Sequence, residues 1–552
     1  MTTAPDPEPS LPGLERQLAR LDDVARGIAG AWAPRAGAAT TIGRERALLR
    51  LYGVAGLDRS GLPLAGSVVD GYVGGSTTRL ADGVSLAFAS ALLEYDLEPQ
   101  QLAGDIAAGL IDLVLEARLL SDRDQRVRAE EAVGRLVDTA LARIDANRTA
   151  TRELVSVLGD PARPWIAATI RDVAAMSAIV EARELARDGF DVLRIEVPMG
   201  RELTGLLEAA GRDVQRWRPA DRREGHDVPT ADPADGADGL APAGSQRGLA
   251  AIRSAVDEAA ATRRAYVRLA TSAPPLAAPE QAVVAAFERV DLVMADVMGE
   301  IVGSGVDPDR ALADHAFATA IHRRAGTTVL VGAGPLAVGP DLAAGQPSSA
   351  ATRSGRALAL QLLGVHLARA AGLPADQLVV GAVPGFLAEE RSGAAFALAE
   401  VALRRHLLTD HALWFSAGKR AAAPDTPALA SVGGVLPGDG SAALFHVGSL
   451  GSAARRPGDI AGEARTILDD GLLLTRSRSG SALDGVALEH ARATSDAAIA
   501  TLETLSREGW GSVLGEEFDD REGRRWRFGS DAVVERAEAN DPLVGRGLGR
   551  ET

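Results

Sequence analysis

The chain has 552 residues, a formal net charge of −16 and a pI near 5.1, a balance that opposes binding to nucleic acid or an anionic membrane, both of which need a basic patch. Apolar residues make up 46% but aromatics only 4%, so the core must be packed mainly with Ala, Val, Leu and Ile. There is no cysteine, which excludes a disulfide framework, thiolate metal sites, iron–sulfur clusters and a cysteine nucleophile, and leaves oxygen, imidazole or cofactor chemistry.

A chain of this length holds two to four domain-sized units, or one barrel of about 250 residues with additions. Residues 1–12 are acidic and proline-rich, without a basic stretch leading into an apolar one, and no segment sustains the roughly eighteen uncharged apolar residues of a membrane span. The expectation is a soluble cytoplasmic protein. Residues 14–150 read as helices: 14–33, 44–52, 80–95, and one long amphipathic run over 97–147 with apolar residues three and four apart. After Gly159-Asp160-Pro161 the pattern changes to short apolar runs alternating with helical segments, the signature of βα units on a parallel sheet. The candidate strands are 164–170, 191–197, 265–270, 292–297, 327–333, 378–383, 412–417 and 443–448. Eight of them predict an α/β fold built on a closed (β/α)8 TIM barrel at 151–454, preceded by an N-terminal helical region at 1–150 and followed by a C-terminal helical extension and tail at 455–552. Residues 219–245, rich in Asp, Gly, Pro and Ala, read as a flexible insertion, and 421–440 share that composition. A clear helix is expected at 484–508, and a charged tail around 519–527.

Lys419 is the only lysine in the chain. A lysine amine can be deprotonated by burial and attack a carbonyl, which a guanidinium cannot do, so imine chemistry has one candidate here; the alternative is a solvated lysine surviving a coding bias. Its position, directly after the seventh candidate strand, and that of Gly448-Ser449-Leu450-Gly451, following the eighth, are where such barrels commonly hold phosphate on backbone N–H groups. Asp296 and Glu300 stand four apart where the fourth strand ends, and either present two carboxylates to the barrel mouth or cap a solvated helix start. Arg194 and Glu196 alternate with apolar neighbours along the second strand, so both face inward or both outward. The glycine-rich 331–335 turn after strand five either cradles a ligand or is an ordinary βα turn. His315 and His322, and His406 and His411, read as surface or packing histidines, because a metal site would need a third ligand.

Several segments carry a family resemblance: Ala142-Arg-Ile-Asp-Ala-Asn-Arg148 through Gly159-Asp-Pro-Ala-Arg-Pro-Trp165, Phe287-Glu-Arg-Val-Asp-Leu292, Asp314-His-Ala-Phe317 with Arg324-Ala-Gly326, and Ala371-Gly-Leu-Pro374 with Gln377-Leu378. Leu51-Tyr-Gly-Val54 and Gly61-Leu-Pro63 join them within 44–63. Together they resemble the α subunit of lysine 5,6-aminomutase along nearly the whole chain. The resemblance implies a TIM barrel that cups pyridoxal phosphate and substrate, and a β subunit that carries the adenosylcobalamin domain and the Schiff-base lysine. It implies an isomerase that migrates an amino group in lysine degradation, working as a heteromer. Lys419 then falls at a family lysine position, and Gly448 at a family glycine.

The departures fall on the active-site motifs. After strand two the family's Ile-Arg-(Ser/Thr)-Thr-Gly-Gln-Ser is here Glu196-Val-Pro-Met-Gly-Arg-Glu202, which keeps Gly200; the family's Asn-Tyr-X-Ser-Gly is Thr271-Ser-Ala-Pro-Pro275. The ring-stacking tyrosine and the nearby arginine after strand four correspond to Gly299 and Ser304, and the strand-five motif with its substrate-amine aspartate is Leu330-Val-Gly-Ala-Gly-Pro-Leu336. The candidate ligand-binding residues are Lys419, Gly448, Ser449, Gly200, Glu196, Glu202 and Asp296. The alternative to an aminomutase is a catalytically degenerate barrel kept for assembly, regulation or binding of another small anion; less favoured is an unrelated chemistry on Glu196, Glu202, Asp296 and Lys419.

Overall fold

The computed structural model describes residues 11–59, 62–170, 175–195, 245–274, 276–332, 349–382, 392–416, 442–449, 458–466, 468, 485–510, 533–536, 540–546 and 548. Ten strands lie among them: β1 (Ala39–Thr41), β2 (Trp165–Ile170), β3 (Val192–Ile195), β4 (Arg268–Ser272), β5 (Leu292–Met294), β6 (Thr328–Val331), β7 (Leu378–Gly381), β8 (Ala412–Ser416), β9 (Ala442–Ser449) and β10 (Val533–Glu535). Strands β2 to β9 pair in parallel, each with its neighbour in sequence, and β9 pairs with β2 to close the ring. The predicted eight-stranded barrel is thus observed.

The pleat sorts the apolar residues of each strand into two sets. Trp165, Ala167, Val192, Ala270, Leu292, Leu330, Val379 and Trp414 pack together inside the barrel. Their neighbours in sequence, such as Ile166, Leu193, Leu269, Val293, Val329 and Val380, join the larger core between the barrel and its helices. The floor is closed by the Arg268 guanidinium, 3.6 Å from the Trp165 ring centroid and 2.7 Å from Asp160, a cation held over an aromatic face. Two aspartates, Asp191 buried and Asp291 half-buried, lock register at the same end: Asp191 accepts the Ile166 N–H of β2 at 2.9 Å, and Asp291 accepts the Leu269 N–H of β4 at 2.8 Å.

The third barrel strand begins at Arg268, three residues later than its apolar run suggested. The preceding helix, Gln246–Arg263, ends on Arg264 in the left-handed region at φ 58°, and the Tyr266 N–H is taken by the Gly159 carbonyl before pairing starts. The long run expected over 97–147 is interrupted. It forms Pro99–Ala107, a single turn at Leu113–Glu116 and a tight 3-10 segment at Ala117–Ser121 before the helix Arg123–Leu158 starts on the Asp122 side chain, which accepts the Asp124 and Gln125 N–H groups. Gly109, at φ 72°, supplies the first break. The expected 80–95 helix is likewise two, Thr77–Asp82 and Ser85–Tyr95, divided at Gly83 (φ 75°).

The helices flanking the barrel in sequence cover it in space. Glu15–Ala38 packs on Ala350–Ala370 and on Gly485–Glu508, and its Leu18, Leu21 and Ala25 belong to the barrel–helix core. A second core joins residues of 47–144 to Ala282, Val283, Phe317 and Ile321 of two barrel helices, with Leu543 and Leu548 from the far end of the chain. β1 and β10 pair antiparallel beside it, Ala39 opposite Glu535. Arg536 reaches the buried Glu45 carboxylate at 2.9 Å, and Arg44 reaches Asp541 at 2.6 Å. Burial pushes the Asp541 carboxyl up, but Arg44 and Arg536 outweigh it and hold it below the usual carboxylate range. No helix among the described residues is long and apolar enough to cross a membrane.

Candidate functional site

In a barrel of this kind, ligands bind where the carboxyl ends of the strands open. The side chains brought there among the described residues come from β2 to β5. Arg194 lies beside Thr169 and Ala270 in register, and because Ala270 is interior, Arg194 faces the lumen. Its Nη2 donates to Ser272 Oγ at 3.3 Å, and that hydroxyl lies 3.6 Å from the Met294 sulfur. An arginine, a serine and a thioether therefore line one arc of the mouth, with Thr169 buried beside them. Of the charged pair read from alternation, Arg194 points inward; Glu196 lies outside the described residues.

Asp296 sits just past the end of β5 and caps the short Val297–Gly299 turn, but as a buried carboxylate and not at the solvated helix start of one sequence reading. One oxygen accepts the Gly299 N–H at 3.2 Å, and the other accepts the Gly332 N–H after β6 at 3.2 Å. The carboxylate thus ties two consecutive mouth turns together. Burial raises its pKa, and the two amides and His315 counter that only in part. Glu300 does not join it as a second carboxylate at the mouth; its Oε1 lies 3.3 Å from His315 Nε2 in the layer behind the strands. There, His315 and His322 line a cavity of about 40 Å³ with Ala295, Val329 and Gly364. His322 is 1% exposed, and burial pulls its pKa down to about 3, with the charge of His315 acting in the same direction. His411 is buried and His406 exposed. Among the described residues, no group of three His, Asp or Glu side chains is placed to hold a metal ion.

Behind β6 and β7 lies a network that sequence reasoning missed. Gln361 Nε2 donates to the Gly381 carbonyl at 2.9 Å, and Arg404 Nε donates to the same carbonyl at 2.9 Å and to Gln361 Oε1 at 2.8 Å. Arg404 Nη1 donates to Glu400 Oε2 at 2.5 Å, and His490 Nε2 lies 3.2 Å from Glu400 Oε1. The His490 ring stacks on Phe396 at 4.0 Å between centroids. Burial pushes the Glu400 carboxyl up, but Arg404 and His490 win and hold it below its usual range. The network joins the C-terminal helix Gly485–Glu508 to the mouth end of β7, where the two strand ends nearly touch: a Cβ on Gly381 would stand 2.4 Å from the Gly332 carbonyl oxygen. The four-residue spacing of Glu400 and Arg404 was legible; Gln361 and His490 carried no local signal.

Ser449 pairs with Thr169 at the seam where β9 meets β2, with Gly448 beside it in β9. The end of β9 and the Asp296 turn after β5 lie four strands apart in the ring of eight, on opposite sides of the mouth. Lys419, Glu196, Gly200 and Glu202 lie outside the described residues.

The described mouth can be tested against the cofactor pocket that the resemblance implies. Arg194, Ser272 and Thr169 are donors suited to an anion. Against that, Gly299 has no ring to stack on a pyridine, and its N–H and that of Gly332 are both taken by Asp296. The described residues thus do not supply a pyridoxal phosphate pocket.

Comparison with known proteins places the scaffold. The lysine 5,6-aminomutase alpha subunit of Fusobacterium nucleatum subsp. nucleatum is 25% identical over 343 residues, covering 62% of this chain and 59% of that protein. The alpha subunit of Acetoanaerobium sticklandii is 25% identical over 368 residues, covering 67% and 64%. The matches span less than two thirds of these relatives' own length. A dihydropteroate synthase from Anaplasma phagocytophilum, solved with bound 6-hydroxymethylpterin-monophosphate, superposes over 56% of this chain and 98% of its own at 14% identity and a TM-score of 0.32. The model of the D-lysine 5,6-aminomutase TIM-barrel domain of the alpha subunit matches residues 14–204 and 228–424, which is most of the chain and seven of its eight barrel strands: this protein belongs to that family.

Proposed function

We propose that the chain is an α-type subunit of an adenosylcobalamin- and pyridoxal-phosphate-dependent aminomutase of the D-lysine 5,6-aminomutase kind, a cytoplasmic enzyme of lysine degradation that works with a cobalamin-binding β-like partner. The observation that carries this reading is the family match across the N-terminal helices and barrel strands together. On it, the barrel mouth receives the substrate, with Lys419, Gly448, Ser449, Gly200, Glu196, Glu202 and Asp296 as ligand contacts, and both cofactors are shared with the partner. Because the described residues do not form the cofactor pocket, no chemical step is assigned to them. Arg194 and Ser272 are placed to hold a carboxylate or phosphate of whatever enters.

A second reading, a barrel that assembles with the partner without the parent chemistry, is favoured by one observation: Asp296 occupies the Gly299 and Gly332 amides beside the missing aromatic ring. One experiment separates the two. The chain is mixed with pyridoxal phosphate, alone and with a β-like protein encoded beside it, and complex formation and the imine absorption band are recorded after gel filtration. A complex that retains the cofactor supports the first reading; a complex without it overturns the first in favour of the second. No complex and no retained cofactor would overturn both.

A further inference from the structure

Eleven large apolar side chains are exposed among the described residues, and five of them, Leu93, Tyr95, Leu110, Leu115 and Leu119, lie within a span of 27 residues. Of the others, Met176 and Val180 adjoin on one helix and the remaining four, Leu57, Val127, Val157 and Val486, are spread along the chain. Tyr95, Leu115 and Leu119 lie on elements that pack together, with Leu110 in the connection before them, whereas Leu93, two residues from Tyr95 on the same helix, faces another way. The Ser85–Tyr95 helix packs on the Leu113–Glu116 turn and on the Ala117–Ser121 segment, and Tyr95 Oη donates to Glu116 Oε1 at 2.9 Å, fixing the helix end to the turn. Leu115 and Leu119 are one helical turn apart, 51% and 42% exposed, and Leu110, in the connection before them, is 74% exposed. The same interrupted stretch buries Leu102 and Leu113 but turns Leu110, Leu115 and Leu119 outward.

The charge along this stretch is mainly acidic, although exposed Arg123, Arg126 and Arg128 begin the helix that follows and packs beside it. Between residues 93 and 122 the chain carries seven carboxylates, among them Glu94, Asp96, Asp112 and Glu116, against the single Arg118. Two such surfaces would repel each other, and an anionic lipid headgroup would be repelled likewise. An apolar centre inside an acidic rim is matched by an apolar face ringed with lysine or arginine.

We propose that this face of the N-terminal helical region is a docking surface for a partner protein that presents an amphipathic helix with a basic rim. The inference does not depend on the aminomutase reading, since no residue of the barrel mouth enters it. The full chain is titrated with a short synthetic amphipathic helix carrying leucine on one face and lysine and arginine on the other, with a glutamate-substituted analogue as control. Backbone hydrogen exchange locates the contact. The expected result is salt-sensitive binding of the basic helix, protection confined to residues 85–122, and at least about tenfold weaker binding to a Leu110→Ser/Leu115→Ser/Leu119→Ser variant with an unchanged circular dichroism spectrum. Any of the following overturns the proposal: equal binding of the acidic analogue, protection elsewhere, an unaffected triple variant, or no binding. It is equally overturned if the triple variant abolishes a concentration-dependent self-association, making a second copy the occupant, or abolishes binding to phosphatidylcholine–phosphatidylglycerol vesicles.

Discussion

The pair Glu400–Arg404 is the most demanding electrostatic feature behind the mouth, and its removal has a calculable signature. Arg404 is 2% exposed and Glu400 fully buried, and Arg404 donates to four acceptors: Gln361 Oε1, the Gly381 carbonyl, and the Glu400 carbonyl and carboxylate. Glu400→Gln leaves a guanidinium in the core without a counter-charge. Arg404→Met leaves the carboxylate with His490 alone and strips one donor from Gly381. Breaking a buried pair from one side costs about 3–5 kcal/mol, because the surviving charge stays desolvated, whereas replacing both partners removes that penalty. The Glu400→Gln/Arg404→Met variant is therefore expected to lose less than the sum of the singles by about 2 kcal/mol or more. The measurement is urea unfolding of the four proteins at neutral pH, followed by far-ultraviolet circular dichroism, with midpoints and slopes compared. Singles costing under about 1 kcal/mol, or a double variant additive within about 0.5 kcal/mol, would refute the view that desolvated charge governs this network.

Other perturbations have equally definite signs. His322 has its pKa depressed to about 3 from an ordinary 6.5, so on acidification the unfolded chain takes up a proton first; the stability present above pH 6.5 is lost toward pH 3 at about 1.4 kcal/mol per pH unit. His322→Gln should flatten that slope in denaturation curves between pH 6 and 4, and an unchanged slope would count against the depressed histidine. Asp296 has the opposite linkage: its raised pKa penalises the folded state as pH rises from the ordinary carboxylate value through the folded one. Asp296→Asn, which can still cap Gly299, should therefore gain in melting temperature relative to wild type on going from pH 4 to 7, and a loss would contradict the burial argument. Gly355 lets the Ala350–Ala370 and Gly485–Glu508 helices touch, since a Cβ there would stand 2.5 Å from the Ala497 Cβ and 2.7 Å from the Thr494 carbonyl. Gly355→Ala should cost about 1–3 kcal/mol by overpacking, read as a lowered melting temperature, while Gly364→Ala, with its nearest neighbour at 3.2 Å, should cost less.

What sequence could show followed from range. Each barrel strand is a short apolar run between helices, and its partners are the strands before and after it, so the run of eight was enough to predict closure. β1 and β10 are three residues each, too short to alternate, and their pairing spans most of the chain. The interruption at Gly109 was hidden because apolar spacing continues through it, although the glycine itself was a visible breaker. At the mouth, alternation placed Arg194 and Glu196 on one face but could not choose which; the register to interior Ala270 did. Asp296 was legible as a residue at a strand end, but its bond to Gly332 needed the neighbouring strand in place.

The closing contacts of Arg536, Asp541, Leu543 and Leu548 have a consequence for the order in which the molecule is made. A ribosome delivers the residues of 47–91 first and must then add some hundreds more before those partners exist. At about 5–20 residues per second that interval is roughly 20 to 90 seconds. Through it Glu45, fully buried in the finished protein, waits without Arg536, and the helical layer around it lacks two of its leucines. In a nascent chain the helices of 47–91 therefore await packing partners that lie hundreds of residues further along the sequence.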